Sequence, residues 1–206
     1  MIKAILFDLD GTLYKSEIIR RKFAEAAYNT IAKLKNISLE KAQLLIEERR
    51  EELQKKRGSA VPYTLTLLSF GIPIAQWHKE NIAFFDPREY LVEDKNLKKI
   101  LAELKRRYRL AILTNNNTVQ AERILEALNL NGVFDRVFTY NTFKLLKPDP
   151  EFFKKAAAQL NAKPTECLVV GDRYCIDLNP AKELGMHILE VIGPLDIYNL
   201  GSGLDF

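Results

Sequence analysis

The sequence predicts an α/β fold: a doubly wound (Rossmann-like) parallel sheet with an all-helical domain inserted into it. Three observations predict it. Five short apolar runs do not alternate cleanly, as strands covered on both faces read. Amphipathic helical patterns separate most of these runs, giving βαβ units. The stretch 15–90 breaks the rhythm with helices and no convincing strand.

The first strand is expected at 3–8 (KAILFD). In the insert, IIRRKFAEAAYNTIAKL and LEKAQLLIEERREEL read as two amphipathic helices. Shorter helical pieces follow around 62–70 and 74–84, separated by Gly71 and Pro73. Trp77, Phe84 and Phe85 are expected in the insert's own core. The charge run at 47–57 reads as a solvated helix face with i,i+4 pairs. The insert hands back near residue 91, so residues 1–14 and 91–206 form the α/β core.

Helix 95–106 aligns Leu97, Ile100, Leu101 and Leu104 on one stripe and leads to a strand at 110–114. Asn117 can cap a helix over 118–128, with Gln120 at the capping-box position. A strand follows at 136–140. Asp149 and Pro150 open a helix over 150–160, with proline at the first helical position. Strands at 167–172 and 187–192 flank a helix near 176–184 that ends at Gly185, a natural C-terminal glycine. The last six residues are expected to fray.

A net charge of +4 is mild; it favours anionic substrates but falls short of the dense basic face of a nucleic-acid binder. No apolar run approaches the ~20 residues that span a membrane, and no secretory signal precedes the first strand. Cys167 and Cys175 make no disulfide framework and read as small thiols. The expected setting is cytoplasmic.

In a doubly wound sheet, ligands bind at the carboxyl ends of the strands. Polar residues collect there: Asp8 and Asp10 end the first strand, Thr114 and Asn115 end the second, Lys147 lies in the loop LLKPDP, and Asp172 and Asp177 follow CLVVG. Several carboxylates in one cleft raise each other's pKa unless a cation joins them. An oxygen-only donor set suits Mg²⁺. His78 and His187 are isolated and are not expected to be ligands. A carboxylate beside Mg²⁺ can attack phosphorus, a hydroxyl and a lysine can stabilise the transferring phosphoryl group, and a second carboxyl can move the proton. Each residue also has a plainer reading as a turn, cap or surface residue, most of all Asp177, since aspartate favours a first helical turn.

The motifs resemble those of the haloacid dehalogenase-like hydrolases. FDLDGTL at 7–13 is similar to their first motif, LTN at 113–115 to the second, Lys147 with Pro148 to the third and GDRYCID at 171–177 to the fourth. The resemblance implies Asp8 as nucleophile and metal ligand, forming an aspartyl-phosphate. It implies Asp10 as general acid/base, meeting the metal through its backbone carbonyl. Thr114 and the amide of Asn115 would hold phosphoryl oxygens, Lys147 would pair with Asp8 and the phosphate, Asp172 would bind the metal, and Asp177 would orient Lys147 or a metal-bound water. Gly11 and Thr12 would shape the turn by which backbone amides approach the phosphate. The insert 15–90 stands where the family's helical cap of the first kind stands.

The function implied is a Mg²⁺-dependent phosphatase acting on a small phosphorylated metabolite, such as a nucleotide or sugar phosphate. Tyr14, Arg20, Arg21, Lys56, Arg57 and Tyr63 are candidate substrate contacts, with surface or packing roles as alternatives. A looser likeness to pyrimidine 5′-nucleotidases rests on LFDLDGTLY with Lys15-Ser16, on the stretch after Thr114 and on LKPDP; the cap lacks that group's usual tyrosine-glycine-rich stretch. A phosphosugar mutase on the same scaffold and a non-enzymatic phospho-aspartate signalling module are the alternatives. Asp10, which can activate water, favours turnover.

Overall fold

The computed structural model describes residues 1–59 and 61–202. Two compact units emerge from its contacts: Met1–Lys15 with Leu91 onward, and Ser16–Tyr90.

The first unit carries five parallel strands, β1 (Ala4–Phe7), β2 (Arg109–Leu113), β3 (Arg136–Phe138), β4 (Cys167–Gly171) and β5 (His187–Glu190), in the order β3-β2-β1-β4-β5. β1 pairs Leu6 with Ala111 on one side and with Val169 on the other. The chain winds outward from β1 through β2 to β3, then returns to β4, so the winding reverses beside β1. Such a switch point leaves a crevice at the carboxyl ends of the strands. β1 and β4 are buried along their whole length, which is why both read as unbroken apolar runs.

Five helices span the crossovers: α5 (Lys95–Lys105), α6 (Thr118–Ala127), α7 (Tyr140–Phe143), α8 (Pro150–Gln159) and α9 (Asn179–Glu183); α10 (Pro194–Tyr198) follows β5. Asp94, Asn117 and Asp149 each cap a helix, accepting from Leu97, Gln120 and Glu151 amides. Phe152, Phe153, Ala156 and Ala157 of α8 pack on one sheet face with Leu6, Ala111 and Val169.

Two expectations need correction. The strand at 136–140 stops at Phe138. Thr139 instead caps α7: its hydroxyl accepts from Asn141 N–H and its own N–H donates to Thr142 Oγ1 at 3.0 Å. The helix near 176–184 is not a regular α-helix throughout. A π turn, Tyr174–Leu178, closed by Asn179 N–H on the Tyr174 carbonyl, precedes α9. Pro180 has no N–H for the residue 176 carbonyl and its ring crowds it, so a regular helix cannot run through. Of the expected frayed tail, residues 203–206 lie outside the described residues, while Asn199–Ser202 form a 3₁₀ turn.

The second unit holds α1 (Glu17–Lys35), α2 (Leu39–Arg57), α3 (Tyr63–Ser69) and α4 (Ile74–Phe84). Ser16 and Ser38 cap the first two, and Asn36 and Gly58 close them in the left-handed region. Ala27, Ile31, Ile46, Leu67, Ile72 and Trp77 form a core of their own. Phe85 is buried, but Phe84 is 37% exposed, with the Lys22 ammonium 6.0 Å from its ring centre. Phe84 therefore departs from the expected core. Arg50, in the run expected to face solvent, instead donates to Glu47 Oε2 at 3.0 Å and Tyr63 OH at 2.9 Å, its guanidinium 4.1 Å from that ring's centre.

Candidate active site

Three strands stop one residue short of the polar set. β1 ends at Phe7 before Asp8, β2 at Leu113 before Thr114, and β4 at Gly171 before Asp172. Asp8 N–H still donates to the Val170 carbonyl, and Thr114 N–H to the Phe138 carbonyl, so the sheet's ladder carries both residues into the crevice.

Lys147 is the centre of the site. Its side chain is 2% exposed, with Nζ 2.5 Å from Asp8 Oδ1 and 2.6 Å from Asp177 Oδ1. Asn115 fixes the loop that delivers it: Nδ2 donates to the Lys147 carbonyl at 2.9 Å, and Oδ1 accepts from Lys147 N–H at 2.6 Å. The Asn115 side chain is thus committed to the lysine loop, leaving its backbone for other work. Thr114 Oγ1 accepts from Asn116 N–H at 3.1 Å, which leaves the hydroxyl proton free to donate.

One oxygen of Asp8 is committed and the other is not. Oδ2 is buried and makes no hydrogen bond, and the same is true of Asp172 Oδ1. Carboxylate oxygens of Asp8, Asp172 and Asp177 lie within 4.8 Å of one another. Buried, unpaired carboxylate oxygens converging in this way fit a hard divalent cation. Two glycines permit the convergence. A Cβ on Gly11, at φ +90°, would overlap the Asp172 carboxylate, and one on Gly171 would meet Asp177 Cβ at 2.6 Å.

The Asp10 carboxylate turns away from this cluster. It accepts from the Tyr14 hydroxyl through Oδ1 and from Asn116 Nδ2, at 2.8 Å, through Oδ2. Tyr14, considered above as a substrate contact, is buried in the core unit as a partner of Asp10.

Electrostatics separate the four aspartates. Burial pushes Asp8 up, but Lys147 and then Arg173 outweigh it, holding the carboxyl below its ordinary value. Burial, then the Asp8 charge, pushes Asp10 up to about 6. The same causes push Asp172 up to about 7. Burial raises Asp177 despite Lys147. Lys147 is raised: burial opposes its charge, but Asp177 and Asp8 prevail.

Two residues of this site were missed from the sequence. Arg173 lies 3.7 Å from Asp8 Oδ2 and 3.5 Å from Asp172 Oδ1. A lone cation inside the acidic motif GDRYCID was the available signal. Asn116, the middle asparagine of NNN, reaches Asp10; nothing in the run distinguishes it from its neighbours. Of the other proposed contacts, Arg20 pairs with Glu17 at 2.6 Å on the surface of the helical unit, and Arg21, Lys56 and Arg57 are exposed.

A parallel sheet thus carries a buried aspartate after its first strand, a buried lysine against it and two acidic partners after a later strand. The chain belongs to the haloacid dehalogenase-like hydrolases, whose family pattern it matches over residues 2–185. It is 34% identical to the glyceraldehyde 3-phosphate phosphatase of Methanocaldococcus jannaschii, over 93% of this chain and 86% of that one. It is 29% identical to pyrophosphatase PpaX of Bacillus cereus, over 84% and 76%. A phosphatase structure of the same family from Thermococcus onnurineus superposes with a TM-score of 0.65 at 24% identity, covering 92% of this chain and 86% of that one, and shares the fold. Among the described residues, no helix is long and apolar enough to cross a membrane.

Proposed function

We propose that this protein is a Mg²⁺-dependent phosphatase that hydrolyses a small phosphate monoester through an aspartyl-phosphate on Asp8. One observation carries the reading: Asp8 presents one oxygen locked by Lys147 and one buried oxygen without a hydrogen bond, beside Asp172 and Asp177.

Asp8 and Asp172 would hold the ion, with the Asp10 backbone carbonyl as a further ligand. Bound there, Mg²⁺ offsets repulsion between Asp8 and an incoming phosphate and draws charge from the phosphoryl oxygens. A carboxylate oxygen of Asp8 attacks phosphorus while the bond to the leaving oxygen breaks, and Asp10 gives the leaving oxygen its proton. A pKa near 6 lets Asp10 carry this proton near neutral pH. In the second step Asp10, now a carboxylate, takes a proton from the water that attacks phosphorus, and Asp8 is released. Lys147 and Thr114 donate to the phosphoryl group, with the Asn115 amide beside them. Asp177 holds Lys147 in place.

The relatives' names support hydrolysis over return of the phosphoryl group to a sugar. They make a triose phosphate such as glyceraldehyde 3-phosphate the first substrate to try, ahead of nucleotides. The helical unit is read as a cap that closes over the bound phosphate, a role supported by its insertion between β1 and α5. A cytoplasmic setting is supported by the two free cysteines.

The test is phosphate release from p-nitrophenyl phosphate and glyceraldehyde 3-phosphate, by wild type and Asp8→Asn, with Mg²⁺ and with EDTA. Release that needs both Mg²⁺ and Asp8 is expected. Folded wild type that releases no phosphate from either, or an active Asp8→Asn variant, would refute the reading.

A further inference from the structure

Two cations serve the acidic cluster, and they are held differently. Lys147 is nearly sealed from solvent and hydrogen-bonds Asp8 at 2.5 Å. Arg173 keeps its distance from all three carboxylates: 3.7 Å from Asp8, 3.5 Å from Asp172 and 3.8 Å from Asp177. A guanidinium normally uses its fork of donors in short, often bidentate bonds to carboxylates. Here Nε is buried without a hydrogen-bond partner, and the side chain as a whole is 26% exposed. The two oxygens nearest the guanidinium, Asp8 Oδ2 and Asp172 Oδ1, both lack hydrogen bonds. Arg173 thus offsets charge without being locked in place, and its partial exposure leaves it a way out to solvent.

We propose that Arg173 is an internal counter-ion that stands in for the divalent cation in the metal-free protein and gives way when the ion binds. Three carboxylates bring oxygens within 4.8 Å of one another, and the Arg173 guanidinium stands within 3.8 Å of each of them. Arg173 supplies the missing positive charge until the ion does, so site and fold survive between metal-binding events. The inference rests on the assignment of Mg²⁺ to this cluster. It adds that Mg²⁺ must compete with a side chain of the same chain.

The test uses the whole chain and no substrate. Wild type, Arg173→Met, which keeps the apolar stem and loses the charge, and a control, Arg136→Met, which loses the same charge at the exposed first residue of β3, are titrated with Mg²⁺ by calorimetry. Each is also melted in EDTA and in Mg²⁺. Removing a competing unit charge a few ångströms from a dication should tighten Mg²⁺ binding on the order of tenfold. The melting temperature in EDTA should fall for Arg173→Met and hold for Arg136→Met. Tightening of about threefold or more, confined to Arg173→Met, upholds the proposal. A smaller change, or equal tightening in the control, overturns it while leaving the metal assignment intact. Wild type that binds no Mg²⁺ overturns the metal assignment and this inference with it.

Discussion

Lys147 Nζ lies 2.5 Å from Asp8 Oδ1, and both side chains are almost wholly buried. The pair holds one carboxylate oxygen and leaves the other without a hydrogen bond. Asp177 braces the same ammonium from the other side at 2.6 Å.

Lys147→Met should damage fold and chemistry together. Removing one partner of a buried ion pair leaves uncompensated charge and costs about 3 kcal/mol. Chemical denaturation should show that loss. Turnover of the remaining folded protein should fall on the order of 10²–10³-fold, as when a transition-state donor is lost. A stable, active variant would show that the lysine is not needed.

Asp10→Asn separates proton transfer from metal binding. The Asp10 carboxylate faces Tyr14 and Asn116 rather than the metal cluster. Turnover should fall by about 10²–10⁴, while the Mg²⁺ dissociation constant, read by calorimetry, stays close to wild type. A large loss of Mg²⁺ affinity would place the side chain among the ligands instead.

Metal-free stability should decline as pH rises. Asp10 and Asp172 have folded values of about 6 and about 7, above the ordinary 3.8. Between pH 4 and 7 the folded protein therefore holds more protons than the unfolded chain, and stability present below pH 4 is lost as pH passes through 6 and 7. A bound cation favours the deprotonated carboxylates, so the gap between melting temperatures in Mg²⁺ and in EDTA should widen from pH 5 to pH 8. A gap that does not change with pH would contradict the raised values.

Gly11→Ala should abolish Mg²⁺ binding. The new Cβ would sit in the Asp172 carboxylate, with Cγ only 2.7 Å away, on a backbone at φ +90°. The backbone strain alone costs about 1–3 kcal/mol. The expected readout is a lower melting temperature in EDTA and no further rise on adding Mg²⁺. A Mg²⁺-dependent rise like wild type's would mean that Asp172 can move aside without losing the ion.

Much of this architecture is local and so was legible in the chain. Strands covered on both faces need unbroken apolar runs, and those of β1 and β4 are plain. Helix starts were marked at Asn117 and Asp149 because a capping side chain bonds an amide only two or three residues on. Asp8, Thr114 and Asp172 each follow directly from a strand end, so the strand pattern put them at one edge.

Side-chain direction was decided by the tertiary structure. The Asp10 carboxylate faces Tyr14 and Asn116 because those groups come from a turn and from another strand's end. The Asn115 side chain binds a backbone 32 residues further along the chain, a pairing no local pattern encodes. Arg173, just ahead of the π turn, comes within 3.8 Å of three carboxylates, one of them on the distant β1 end. By itself, the sequence determined which residues reach the carboxyl edge, because hydrophobic periodicity sets strand ends. Folding alone decided which oxygen of Asp8 is held and which is left free, because that depends on charges brought together from positions 8, 147, 173 and 177.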